Sequence, residues 1–562
     1  MTNYFKAIIT SILIFSLFML AGCKGCGSPP PTPHKRAMES FQEQTARIRQ
    51  IENLTRKIKK KPDKKQTLKV AVPYLPSHLN PYLKISKWGY RISMHNIYES
   101  LVDRDAKTGK LIPGLAKSWS MEENGKIYRF WIRDDVRWQD GRPLSTEDIV
   151  FTLSLLTIPR IKKGPFMEDI NYTLMRVDKI SNNGVRIVLR NPNAYFLEHL
   201  VELPVLPSHV FYRGISKRSH GSLNPIGTGP YRMLEWMEDD KIILERNEFY
   251  WGQTPQIQRL VFKEIKSPAK TLVEIRRKKL DLLPKLSPVH YPSQITSNIK
   301  KDYKLYKFVP PDFSYLLWNT RNRMISDFRI RRAFSMLINR ELIIKKVYRN
   351  LAVSCNGAYW RPGGLGDKSI KNWPYDPAKA KKLLDQVGWK DRDGDGIRDK
   401  NNKKLKLVIL LPLGNPRARQ LLKIIKTQFF KAGIEVLIVP TAWKLLSRHL
   451  KQRKFAAAFL TWKGRPYEDF SPIFHSAGKN NYGVVYNIFI DRLITRMRQQ
   501  KSFENLLEYS KKLEKMLHSY LPITFLFRPV EISLVHRRFS NVIPTSFGFK
   551  YKEFKTKTNK NK

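Results

Sequence analysis

Asp391, Asp393 and Asp395 alternate along the chain and Gly396 follows, an arrangement resembling a loop that wraps calcium. Such a loop closes on a bidentate glutamate at its twelfth position, which here is Asn402, so a turn without a resident metal is expected. Cys23, Cys26 and Cys355 are too few for a disulfide framework or a thiolate metal site. The patterns H-E-x-x-H and G-x-S-x-G and the phosphate-loop pattern do not occur, and the eleven histidines are scattered. No nucleophile–base pair can therefore be assembled, and neither an enzyme nor a cofactor is expected. Recognition by charge is another matter. Trp462, Arg465, Glu468 and Asp469 follow one another closely, offering an apolar wall, a cation and two acids.

Those four residues come at the end of an alternating pattern. Leu405–Leu411 is a buried-type strand, 416–432 a helix, Ile434–Val439 a strand, Trp443–Gln452 a helix and Phe455–Leu460 a strand. Short apolar strands separated by amphipathic helices require right-handed crossovers and a parallel sheet covered on both faces. Ligands bind such sheets outside the carboxyl ends of the strands, and Thr461-Trp462-Lys463-Gly464-Arg465 leaves one of those ends.

Earlier in the chain, Tyr128, Phe130 and Ile132 alternate with Arg129 and Arg133 as in a half-buried strand, preceded by a turn at Asn124-Gly125. Ser145 starts a helix carrying Ile149, Val150, Leu153 and Leu156, with Glu147 and Asp148 favoured by its dipole. Leu68–Val72 is an opening strand. Asp376-Pro377 starts a further helix that ends at Gly388.

The order of residues carries more than their periodicity. Pro113-Gly114-Leu115-Ala116 with Trp119, then Tyr128 to Ile132, Asp140-Gly141 and Pro143-Leu144-Ser145-Thr146-Glu147-Asp148 resembles the signature block of the family 5 extracellular solute-binding proteins. These are the oligopeptide-, dipeptide- and nickel-binding subunits of ABC importers. Pro225-Ile226-Gly227-Thr228-Gly229-Pro230-Tyr231 resembles a second family motif, and Tyr315-Leu316-Leu317-Trp318-Asn319 a third. The two glycines flanking Thr228 permit a sharp bend, which serves either as a turn returning the chain to the main lobe or as a ligand contact at Thr228 and Gly229; Asn319 joins them as a candidate. Arg329 and Arg332, on one helix face, are expected to bind carbonyls or acids at the lobe surface.

The resemblance spans roughly 67–550 and implies an α/β, two-lobed periplasmic-binding-protein type II fold with an extra subdomain. On that reading 67–310 is the first lobe, with the subdomain at about 101–220, and 311–517 is the second. Residues 518–550 return to the first lobe and 551–562 form a basic tail. Two hinge crossings, near 310 and 518, would let the lobes close over a ligand. The implied role is capture of peptides, oligopeptides among them, for an importer with permease and ATPase subunits, by a monomer. A nickel chelate, haem or another anionic solute remains an alternative ligand, and a surface adhesin or a secreted hydrolase are alternatives of a different class.

This chain departs from its relatives at two anchors. Where the peptide-binding members place an Asp that pairs with the ligand ammonium, Arg465 stands; where the dipeptide-binding members carry an Arg ahead of N-P-x-A-R, Pro412 stands. The expectation is a ligand without a free amine at that point, or one presenting an acid to Arg465, with Trp462 as a wall. Alternatively Arg465 is a rim charge, or Glu468 or Asp469 takes the ammonium.

Residues 1–22 read as a signal segment, with Lys6 ahead of an apolar run from Ala7 to Leu20 that is too short to span a bilayer. Leu20-Ala21-Gly22-Cys23 resembles a bacterial lipoprotein processing site, with Cys23 the lipidated residue and 23–66 a proline-stiffened, basic tether. The expected location is the periplasmic face of a bacterial membrane, with Lys24 pointing toward the outer one. The net charge of +55 is only partly explained by Lys6, the linker at +8 and residues 550–562 at +5, leaving about +41 on the body. Such a charge attracts polyanions. A secretory signal and the lack of an aromatic-interleaved basic motif nevertheless exclude a nucleic-acid partner.

Overall fold

The structure is a computed structural model that describes residues 66–105, 108–158, 173–212, 214–545 and 548–557. All of them belong to the compact unit Lys64–Lys562. The signal segment, Cys23 and nearly all of the tether lie outside the described residues, as does the end of the basic tail.

Thr67–Val72 buries Leu68, Val70 and Val72 completely or nearly so, and it becomes the middle strand of a seven-stranded sheet. Arg259–Glu264 runs parallel to it on one side and Leu282–Leu283 on the other. The hairpin Tyr231–Met237 and Lys241–Arg246 extends one edge, and Glu531–His536 with Tyr303–Phe308 extends the other.

The extra subdomain is a four-stranded antiparallel sheet in the order Ala116–Glu122, Ile127–Ile132, Gly184–Leu189, Leu174–Lys179. Its first turn places Asn124 at φ 55° and Gly125 at φ 87°, the left-handed geometry expected of that pair. The helix Thr146–Ser154 follows; the Ser145 amide and hydroxyl both donate to the Asp148 carboxylate. Asp148 also accepts from Trp138 Nε1 and from Ser208, which ties the helix start to two distant segments.

The alternating pattern after residue 405 forms the core of a six-stranded sheet. Lys406–Pro412 is parallel to both Glu435–Thr441 and Ala457–Trp462, with helices Pro416–Phe430 and Trp443–Lys451 as the crossovers. Phe313–Trp318 is buried along its whole length and runs antiparallel to Ala457–Trp462. The chain first crosses between the large sheets over 309–312, close to the expected point.

The second crossing is not at 518. Ile523–Pro529 pairs with Phe313–Trp318 and Ala352–Ser354, so it belongs to the second lobe's sheet, and the chain returns only at Val530. Its side chains are buried on both faces through Arg528, and a continuous apolar run of that kind reads the same in either sheet. Arg528 braces the junction, donating to the carbonyls of Pro311, Ala358 and Tyr359 and so linking the two crossings.

In the second lobe Arg329 pairs with Asp327 at 2.7 Å and Arg332 stacks on Trp373 at 4.3 Å. Between them Arg331 is 1% exposed, and its guanidinium donates to the carbonyls of Ile325, Ser326, Tyr520 and Leu521.

Candidate ligand-binding cleft

The strand Ala457–Trp462 ends beside the crossing segment, where Lys463 pairs with Asp312 at 2.6 Å. Gly464 is required there because a Cβ would stand 2.5 Å from the Pro311 carbonyl oxygen. Trp462 is half-buried with its ring against Phe470, and its indole N–H finds no acceptor among the described residues.

Arg465 reaches across to the first lobe. Its Nε lies 3.5 Å from Glu202 Oε2, and the two side chains are 10% and 6% exposed. Its main-chain N–H donates to Glu468 at 2.8 Å, which turns Glu468 inward to 8% exposure. Asp469 accepts from the Ser471 amide and pairs with Arg498 at 3.5 Å. The structure therefore brings Trp462, Arg465, Glu468 and Asp469 together, with Arg465 engaged by a carboxylate of the opposite lobe.

Thr228, Gly229 and Asn319 are elsewhere. Thr228 donates to Glu99, which also accepts from Tyr250 and Trp251, and the Gly229 carbonyl accepts from Gln139 and Asn247. A Cβ at Gly229 would meet the Asn96 carbonyl oxygen at 2.4 Å, so backbone packing demands the glycine. Asn319 holds the start of the 457–462 strand, donating to the carbonyls of Arg453 and Phe455. The hydrogen bonds of these three residues run within their own lobes, and none of the three lines either of the two cavities described next.

Among the described residues, two of the cavities between the lobes draw on neighbouring stretches of the same segments. One, of about 250 Å³, is lined by Val201, Pro466 and Tyr467 together with Tyr90, Arg91 and Trp360. The other, of about 690 Å³, is lined by His199 and Asp469 together with Asn193, His475 and Arg498. Glu202 and Arg465 occupy the stretch between. Sequence reasoning missed Tyr90, Arg91, Trp360 and Tyr467, which lie on three separate segments that only the folded chain brings together.

On the wall of the smaller cavity, burial pushes His95 down to about 4, against the attraction of Asp103 and with the help of Lys550 and Lys552. Burial also opposes ionisation of Asp103, yet His95, Lys550 and Lys552 hold that carboxyl down to about 2. His199 is 2% exposed, and burial, with Arg465 and Arg498 nearby, depresses its protonation well below the ordinary histidine range. Both histidines are thus folded as neutral rings that the unfolded chain protonates more readily. Their contribution to stability is complete above about pH 6.5 and is lost as pH falls toward 4. For His95 the loss is expected to be about 2–3 kcal/mol, with His199 adding in the same direction. Urea midpoints measured from pH 7 to pH 4.5 should fall accordingly; a flat profile over that window would contradict the assignment, since Asp103 contributes only at lower pH.

The Asp391, Asp393 and Asp395 carboxylates converge as the spacing suggests, and Lys404 lies among them, bonded to Asp393 and 2.7 Å from Asp395. The lysine ammonium supplies the positive charge that this turn collects.

Comparison with known proteins agrees with this geometry. The profile of the family described as "Bacterial extracellular solute-binding proteins, family 5 Middle" matches residues 110–483. The dipeptide-binding protein of Escherichia coli K12 is 26% identical over 479 residues, covering 80% of this chain and 86% of its own. The nickel-binding periplasmic protein of the same organism is 26% identical, covering 69% and 74%. Among solved structures, the oligopeptide-binding protein AppA of Bacillus subtilis with a nonapeptide superposes with a TM-score of 0.68 at 22% identity, covering 88% of this chain and 99% of AppA. HbpA2 of Haemophilus parasuis reaches 0.78 at 19% identity, covering 88% and 100%. The fold is thus the two-lobed type II binding-protein fold. With more than half of its length matched, the chain belongs to the family 5 bacterial extracellular solute-binding proteins, which serve ABC importers as binding proteins and are not enzymes.

Proposed function

We propose that the protein captures peptides, oligopeptides among them, between its lobes and delivers them to the permease and ATPase of an ABC importer, acting as a monomer anchored through a lipid on Cys23. The observation that carries this reading is the small cavity beyond the carboxyl end of the 457–462 strand, lined from both lobes by Tyr90 and Arg91 on one side and Trp360 and Tyr467 on the other. Aromatic walls and charges of both signs suit a solute with an apolar body and ionised ends. Among the described residues no helix is long and apolar enough to cross a membrane.

Native mass spectrometry of the purified protein should reveal co-purifying peptides, and their re-addition should reduce the scattering radius of gyration. Recovery of a metal chelate or haem instead would replace the ligand. Binding confined to polyanions and abolished by salt would replace the function itself. Cys23→Ser should shift the protein from the membrane to the soluble fraction; an unlipidated mature chain retained on membranes would refute the anchor.

A further inference from the structure

The charged groups lining the smaller cavity are held by hydrogen bonds, with one exception. Asp103 receives Lys550 at 3.1 Å, and Arg104 is held by Glu198 and by the Gly109 carbonyl. Asp105 accepts from the Thr108 amide and hydroxyl at 2.6 and 2.7 Å. Arg91 is the exception. Its side chain is 8% exposed, its guanidinium donates no hydrogen bond among the described residues, and its Nε–H is fully enclosed without an acceptor. The nearest carboxylate oxygen, Glu531 Oε2, is 4.0 Å away, and Glu531 already accepts from Lys285 at 2.6 Å. Trp88 lies 5.1 Å beneath the guanidinium and supplies only a π face.

A second observation points the same way. Lys87, one turn earlier on the helix Lys87–Ser93, is depressed to about 8, first by burial and then by Arg91, with Lys285 adding to the repulsion and Glu531 and Asp312 offsetting it. The first-lobe wall beside the crossings thus holds three cations around one shared carboxylate. Burying a guanidinium without an anion is costly, and the cost is recovered when an anion with its own acceptor oxygens arrives.

We infer that Arg91 is the anchor for an anionic group of the ligand, a carboxylate, and that this anchor selects solutes whose apolar body packs between Trp360 and Tyr90. The inference rests on the reading of this cavity as the ligand chamber. It relocates the charge recognition that the sequence places on Arg465, because that guanidinium faces Glu202 instead. A planar carboxylate matches the guanidinium fork in two parallel hydrogen bonds. Trp360 is fixed for its part by its indole N–H donating to the Val309 carbonyl at 2.8 Å. In the peptide reading the group is the C-terminal carboxylate or an acidic side chain.

The test presents wild type, Arg91→Gln and Arg91→Lys with a random tripeptide library, the same library amidated at its C-terminus, and a set of non-peptide aromatic carboxylic acids beside their amides. Retention is read by native mass spectrometry and affinity by calorimetry. Wild type should retain free acids in preference to amides, and Arg91→Gln should weaken the retained acids by about 30-fold or more, with partial recovery in Arg91→Lys. Ligand-free Arg91→Gln should melt no lower than wild type, since it loses a buried cation that makes no hydrogen bond and shares its nearest carboxylate with Lys285, whereas a merely structural arginine would leave a destabilised protein. Equal retention of acids and amides, or unchanged affinity in Arg91→Gln, would overturn the anchor and leave peptide capture standing. Arg91-dependent retention of the non-peptide acids alone would support the anchor and remove the peptide reading. Failure of wild type to retain any acid would overturn the anchor.

Discussion

Arg465→Glu is expected to keep the lobes apart and to weaken capture of whatever solute co-purifies with the wild type by about 100-fold or more. The substitution sets two carboxylates against each other where Arg465 and Glu202 now face at 3.5 Å with little exposure on either side. Breaking a buried ion pair by losing one partner costs about 3–5 kcal/mol, because the other charge stays buried and uncompensated. The pair forms only when the lobes meet, so that cost falls on the closed state and not on folding. The ligand-mixed variant should therefore scatter with the radius of the ligand-free protein while melting near the wild-type temperature. Adding Glu202→Arg to the same chain restores the pair in reverse and should recover closure. Should Arg465→Glu close and bind like wild type, the contact has no part in capture.

A loss of about 4 kcal/mol of folding stability is expected for Arg331→Ala. Arg331 satisfies four carbonyls at once, two of them at Tyr520 and Leu521. These close the long helix Phe503–Tyr520, whose last residue passes to Leu521 at φ 50°. The carbonyls at a helix end need a partner, and here a single side chain from another helix supplies it. Burial drives Arg331 down to about 10, still far above neutrality, so it stays charged and the hydrogen bonds stay charge-assisted. Chemical denaturation of Arg331→Ala against Arg329→Ala separates the cases: the Arg329–Asp327 pair is solvent-screened, so Arg329→Ala should denature close to the wild-type midpoint. Equal losses would show that the buried network carries no special weight.

Much of the fold was legible before any coordinates. The alternation of Leu405 to Leu460 contains its own answer, since strands of that length with amphipathic helices between them close only as parallel crossovers, and Lys406–Pro412 does pair in parallel with both neighbours. The Asn124-Gly125 turn and the start at Asp376-Pro377 were legible for the same reason: each depends on φ preferences or caps set within a few residues. The sequence does not assign Ile523–Pro529 to one sheet or the other, because burial on both faces erases the alternation that marks a face.

The cleft divides along the same line. That Trp462, Arg465, Glu468 and Asp469 leave the carboxyl end of a parallel strand follows from local pattern. That Arg465 meets Glu202, and that Arg91 is left without an acceptor, depends on segments hundreds of residues apart arriving within a few ångströms of each other. By itself the sequence determined the family, the strand and helix elements and the absence of any catalytic constellation, because those are written in short-range spacing. Only the tertiary structure decided which charges are already paired, because an ion's partner is set by distance and burial in the folded chain, and neither is a function of separation along it.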